Sequence, residues 1–182
     1  MSHYYISVDV ETTGLSPGVS SMISLGAAVY TSKGNLVRTF ERNLEELEGG
    51  PRDPDTMAWW EKHPEQWRKS RESALPVKKV MEEFADVLRT LQGVPIVIGW
   101  PVSFDVAFID YYLQRFTVDR PRGRYTCCIK SMLSLHLGTP LHMVDRNKLP
   151  EHLTPIPLEK HVALNDAMWQ ADVFFRLTEG KS

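Results

Sequence analysis

With 182 residues, 42% of them hydrophobic and 24% charged, the chain is sized for one domain around one core, and disordered or fibrous classes are excluded. A formal charge of −2 argues against the broadly basic surface of a non-enzymatic nucleic-acid binder. The only cysteines, Cys127 and Cys128, are adjacent, which excludes a disulfide framework and any zinc site built on cysteine pairs at the usual spacings.

The first residues lack a basic segment followed by a long apolar run, and no stretch approaches membrane-spanning length. The expectation is a cytoplasmic protein without a membrane partner. Tyr4 to Val10 alternates as a strand, with Tyr4, Ile6, Val8 and Val10 on one face and Tyr5, Ser7, Asp9 and Glu11 on the other. After a loop from Thr12 to Ser21, Met22 to Tyr30 reads as a second strand, and the turn Ser32-Lys33-Gly34-Asn35 leads to a third from Leu36 to Leu44. Capping residues and Pro54 precede a short helix from Met57 to His63, and Pro64 begins another piece. Val77 to Leu91 carries apolar residues at intervals of three and four, the mark of a helix with one buried stripe.

Val94 to Ile98 is almost purely apolar, as in a strand buried on both faces, and Gly99 to Pro101 ends it. Helical spacing resumes from Phe104 to Leu113 and again from Ile129 to Leu135. Four prolines between Gly138 and Lys160 predict an irregular stretch, and a last helix runs from Asn165 to Leu177. This order predicts an α/β fold, a mixed sheet flanked by helices, with the strand order left open.

Three acidic segments stand out. Asp9-Val10-Glu11 puts two carboxylates on one face of a strand that ends in the turn Thr12-Thr13-Gly14, where a glycine lets backbone approach a ligand. A solvated edge face is the plainer reading. Asp105 follows the buried strand at the start of a helix, at the carboxyl end of a parallel-type strand, although taken alone a helix cap or first-turn charge is the preferred reading. His161 and Asp166 have a spacing that lets both point at one site; alternatively Asn165 caps the helix and Asp166 complements its dipole. Asp110, five residues beyond Asp105 at about 100° per residue, is turned roughly 140° away and reads as a surface charge.

Taken together these segments resemble the DEDD exonucleases of the ribonuclease H-like fold, in the branch with a catalytic histidine (DEDDh). Asp-x-Glu-Thr-Thr-Gly matches the first motif, Phe104-Asp105 the second, and His161-x-Ala163-x-x-Asp166 the third, in order and across nearly the whole chain. The resemblance implies a mixed five-stranded ribonuclease H-like sheet and a single 3′-5′ exonuclease domain over 1–182. It further implies Asp9, Glu11, Asp105 and Asp166 as ligands for two divalent ions, Mg²⁺ or Mn²⁺, with His161 as general base. Its substrate is a single-stranded RNA or DNA with a 3′ end, and relatives commonly form homodimers. A proofreading-type DNA exonuclease and a non-catalytic nucleic-acid binder on the same fold are the alternatives.

Two positions depart from the pattern. Gly99-Trp100-Pro101-Val102-Ser103 lacks the histidine or asparagine many relatives carry before Phe-Asp, and Cys127-Cys128 stands where some carry Asp-Thr. The segment Asp53-Pro54-Asp55-Thr56-Met57-Ala58-Trp59-Trp60 looks like one in a bacterial and phage-borne exoribonuclease subgroup, which favours RNA. For substrate contacts the sequence offers Thr12, Thr13 and Gly14 as backbone donors to a terminal ribose, with Leu15 as a wedge. Trp59, Trp60, Trp100 and Phe104 are stacking platforms or core residues. Arg115, Arg120, Arg122, Arg124 and Lys130 either track phosphates or line a solvated loop.

Overall fold

The computed structural model describes residues 2–119 and 121–179. Five strands form one sheet in the order β3-β2-β1-β4-β5. β1 (His3–Thr12), β2 (Met22–Thr31) and β3 (Leu36–Asn43) make the antiparallel meander read from the sequence. β4 (Val94–Gly99) and β5 (Tyr125–Cys128) add in parallel on the other side of β1. β5 is the strand that periodicity did not reveal, because four residues at a sheet edge are too few to carry a pattern.

β1 is central, and its alternation sorts the two cores. Ile6, Val8 and Val10 pack against α3 (Val77–Arg89) and α4 (Val102–Phe116), whose buried stripes include Val80, Met81, Phe84, Phe108 and Tyr112. The opposite face meets α5 (Ile129–Leu137) and α6 (Ala163–Thr178), with Tyr5 against Phe174 at a ring-centroid distance of 4.6 Å. Asp9 and Glu11 therefore leave β1 on the side that α6 covers.

Asp53 caps α1 (Pro54–Trp60), its carboxylate accepting the Thr56 N–H at 2.8 Å, and α2 (Pro64–Lys69) follows. The helix thus begins three residues earlier than its apolar pattern suggested. α6 begins at Ala163 with Val162 at its cap, so Asn165 lies inside the helix rather than capping it. The proline-rich stretch before it forms three short 3₁₀ turns, at Leu141–Met143, Arg146–Lys148 and Glu151–Leu153. Among the described residues no helix is long and apolar enough to cross a membrane.

Candidate active site

The site begins where β4 leaves β1. Their ladder ends at Ser7–Ile98, so the next edge groups of β1 on that side, the Val8 carbonyl and the Val10 N–H, need other partners. Gln170 of α6 donates its Nε2 hydrogen to the Val8 oxygen at 2.6 Å, and the Val10 N–H donates to Asp105 Oδ1 at 3.0 Å. These two bonds join the start of α4 and the middle of α6 to the end of β1 from opposite faces. Asp9 and Glu11 lie on either side of Val10, so the strand itself brings them to the same place.

Asp166 sits in the first turn of α6, and both its oxygens are engaged. Oδ2 accepts the backbone N–H of His161 at 2.6 Å, and Oδ1 accepts from Arg146 Nη1 at 2.8 Å. His161 has φ of 61°, a left-handed conformation uncommon for a residue with a side chain, and the bond to Asp166 holds it there. Ligand atoms of Glu11, His161 and Asp166 all lie within 4.8 Å of one another. Asp9 and Asp166 share a small cavity of about 80 Å³ with Trp100, Arg146, Trp169 and Gln170. Glu11 and His161 open instead on a groove of about 400 Å³ that runs past Arg42 and Lys69.

Gly26 makes this approach possible. It pairs with Asp9 across the β1–β2 ladder, and a Cβ there would lie 2.2 Å from the Ala163 carbonyl carbon and the Leu164 nitrogen. An isolated glycine within a strand pattern is the sequence signal of such close packing. Gly26→Ala should push the start of α6 off the sheet, moving Asp166 and His161 together. Hydrolysis is expected to fall by roughly ten- to a hundredfold, with a lowered melting temperature, as read from kcat/KM and thermal denaturation.

Burial and mutual repulsion act together on the carboxyl groups. Burial holds Asp9 well above the ordinary carboxylate range, reinforced by Asp105, Glu11 and Asp166 and opposed by Arg146. Glu11 is pushed up to about 8 by burial and then by Asp166 and Asp105. Asp105 is pushed up to about 7 by burial, against the pull of the N–H bonds from Val10 and its own backbone. His161 moves the other way: burial lowers it, with Asp166 opposing, so the imidazole is neutral and able to take a proton at pH 7. Hard oxygen donors this crowded, offset at Asp9 by Arg146, fit a divalent ion of the Mg²⁺ or Mn²⁺ kind.

The same shifts predict a pH-dependent stability. Raised carboxyls mean that the folded chain without metal binds more protons than the unfolded chain. Their contribution is full below about pH 4.5, the ordinary value for Glu11, and is lost as pH rises through about 8. The depressed His161 works in the opposite sense. In chelator the melting temperature should fall between pH 5 and 8, by roughly 5 °C or more, and the gain on adding Mn²⁺ should be larger at pH 8 than at pH 5. Melts across that range with and without metal check both statements.

A family model described as the 3′-5′ exoribonuclease Rv2179c-like domain matches residues 4–177. The chain belongs to that family. The 3′-5′ DNA exonuclease Cap18 of Escherichia coli is 27% identical over 187 residues, 93% of this chain and 89% of Cap18. Pop2p of S. pombe, in its Mg²⁺- and Mn²⁺-bound form, has a TM-score of 0.73 at 16% identity, covering 97% of this chain and 83% of Pop2p. The nuclease domain of 3′hExo, a DEDDh family member bound to rAMP, has a TM-score of 0.73 at 14% identity, covering 97% of this chain and 92% of that domain. The five-stranded mixed sheet and the 3′-5′ exonuclease family expected from the three motifs are thereby met, and the fold is shared with a DEDDh family member.

On the substrate side of this 3′-5′ exonuclease, the residues singled out in the sequence divide sharply. Leu15 is 71% exposed, and Trp59 is 37% exposed. The Trp59 ring stacks on His63 at 4.1 Å and meets His161 edge-on at 4.7 Å. Trp60 is buried at 2% exposure, and its Nε1 donates to the Thr12 carbonyl at 2.9 Å, so it supports the motif loop and is not a stacking surface. Thr12 and Thr13 are also buried. Thr12 Oγ1 donates to the Gly14 carbonyl, while the Thr13 N–H donates to the Ser21 carbonyl, leaving it no hydrogen for a ribose.

Gly14 serves the loop as well: a Cβ there would lie 2.2 Å from Ser20 Oγ and 2.8 Å from Asp53 Cβ. The close approach is thus internal, not to a ligand. Phe104 is half-buried, packing on the core and on Phe108 at 5.2 Å. Trp100 is half-buried beside Trp169 at 5.9 Å.

The basic segment needs correction too. Arg122 is buried and paired with Asp110, so Asp110 is no surface charge and Arg122 is not available to phosphates. Arg122 folds back on α4 because its loop packs there, which helical phase alone did not reveal. Arg115 donates to the Tyr111 hydroxyl at 2.6 Å, Arg124 is exposed and Lys130 half-buried, while Arg120 lies outside the described residues. Sequence reasoning missed Arg146, Gln170, Gly26 and His63. Only Gly26 carried a local signal.

Proposed function

We propose that this exonuclease hydrolyses single-stranded RNA from its 3′ end, with Asp9, Glu11, Asp105 and Asp166 holding two divalent cations and His161 acting as general base. The observation that carries the reading is the convergence of Glu11, His161 and Asp166 atoms within 4.8 Å, from the end of β1, the turn before α6 and the first turn of α6. Two ions in such a site supply positive charge at the attacking water and at the departing 3′ oxygen. His161, neutral because it is buried, takes the proton of that water. Asp105 braces the end of β1 through the Val10 N–H while offering its second oxygen, and Asp166 orients the His161 backbone. Trp59, exposed beside His161, and the exposed Leu15 that follows the motif turn are the surfaces for the terminal bases.

RNA is favoured by the description of the matching family and by the segment Asp53 to Trp60, whose Asp53 cap and Trp60 bond set the Trp59 ring beside His161. One observation favours DNA instead, the likeness to Cap18. A non-catalytic binder has no use for a bare acidic pocket, since it repels polyanions. The test is a matched panel of 5′-labelled RNA and DNA strands with free and blocked 3′ ends, in Mg²⁺, Mn²⁺ and chelator. RNA with a free 3′ end should be shortened stepwise at least about tenfold faster than DNA, and blocked ends should resist. Faster loss of DNA would make this a DNA exonuclease, and cleavage of circular strands would remove the exonuclease polarity.

A further inference from the structure

Arg146 occupies a position that none of the acidic motifs calls for. It lies in the short turn Arg146–Lys148, in the proline-rich stretch between α5 and α6. Its Nη1 donates to Asp166 Oδ1 at 2.8 Å, and its guanidinium lies over the Trp169 ring at 4.3 Å from the centroid. The side chains of Arg146 and Asp166 are 26% and 10% exposed, so the pair is shielded from bulk water without being sealed. Stacking on an indole fixes the plane of the guanidinium, and the bond to Asp166 fixes its rotation.

Two cavities meet at this side chain. Arg146 and Trp100 line both the small cavity that holds Asp9 and Asp166 and the larger open groove that His142, Asn147 and Lys148 also line, together with Asp145, which lies 3.9 Å from the Lys148 ammonium. A guanidinium has five N–H donors in a fixed fork, and Asp166 takes one of them, so donors remain for a ligand in that groove. The chemistry that matches a preset guanidinium fork beside a lysine is a phosphodiester.

We propose that Arg146 is a substrate-phosphate contact that also competes with divalent metal for Asp166, so that metal uptake and strand binding favour one another. This rests on the exonuclease reading given above. A fixed cation among carboxylates makes a second cation less welcome, and a bound phosphate removes that penalty by bringing negative charge to the guanidinium. The coupling is reciprocal: metal on Asp166 frees the guanidinium for phosphate, and phosphate on the guanidinium frees Asp166 for metal. Lys148 and the exposed edge of Trp100 continue the contact along the groove.

The test is calorimetric titration of Mn²⁺ into wild type and Arg146→Met without nucleic acid, followed by anisotropy with a labelled, hydrolysis-resistant single-stranded oligonucleotide. Arg146→Met should bind Mn²⁺ about tenfold more tightly and the oligonucleotide about tenfold more weakly. A merely structural arginine would give the reverse for metal, since a loosened Asp166 is a poorer ligand. Arg146→Gln, which keeps a donor to Asp166 without the charge, carries the same expectation and serves if the methionine variant fails to fold. Unchanged or weaker Mn²⁺ binding in the folded variant, or unchanged oligonucleotide affinity, overturns the proposal. Absence of Mn²⁺ uptake by wild type is a different result and overturns the metal site itself.

Discussion

Asp166→Asn should reduce kcat by at least about 10³-fold. Three functions end at that carboxylate: it is one of the four oxygen ligands proposed, it accepts the His161 N–H, and it balances Arg146. Asparagine keeps the shape and one acceptor, so the His161 backbone bond survives in part. What it removes is charge. Arg146 is then left partly buried without its counter-ion, and the cluster with Glu11 and His161 loses one of its two carboxylates. Loss of activity in a folded chain with a lowered melting temperature, together with weaker Mn²⁺ uptake, is the expected signature. A variant that retains more than a tenth of wild-type kcat at saturating metal would mean that Asp166 is not a ligand.

Removing the imidazole of His161 should lower kcat by about 10² to 10⁴-fold while Mn²⁺ still binds. The choice of replacement matters, because the backbone at this position is left-handed. Alanine there adds strain, whereas glycine adopts the conformation freely, so His161→Gly isolates the loss of the ring from damage to the loop. Both variants should lose activity to a similar extent, with the glycine variant the more thermally stable relative to alanine. Added imidazole should restore part of the rate if the ring acts as a proton acceptor. The histidine atoms also lie within ligand distance of Glu11 and Asp166. Mn²⁺ affinity that collapses along with activity would therefore reassign His161 from base to ligand.

How far the sequence discloses the fold depends on the range of the interaction concerned. The alternation of Tyr4 to Glu11 sorts core from site on β1, and the stripe of Val77 to Leu88 finds α3, because each pattern repeats within one element. β5 escapes such reasoning: Tyr125 to Cys128 is short, at the edge, and held by pairing with β4 rather than by its own pattern. The four acidic positions were legible only as an ordered set of motifs, since each alone reads equally well as a cap or an edge charge.

The paired tryptophans mark a second limit. Trp59 and Trp60 are adjacent and chemically identical, yet one faces His161 and the other bonds the Thr12 carbonyl, a difference set by how α1 docks on the β1 loop. Asp110 and Arg122 are twelve residues apart and find each other through the turn after α4, which no helical phase encodes. Arg146 lies furthest from prediction. Its stretch has no periodicity, and its meaning comes entirely from Trp169 and Asp166, two residues on a helix that starts later in the chain.

Beneath the whole account is the claim that carboxylates from β1, α4 and α6 form a single cation-binding centre. Manganese titration followed by electron paramagnetic resonance counts bound ions directly, without any assumption about substrate. Wild type should take up two Mn²⁺ per chain at saturation, and Asp9→Ala should lose at least one of them. A wild-type protein that remains folded yet leaves all its manganese free in solution would contradict the account.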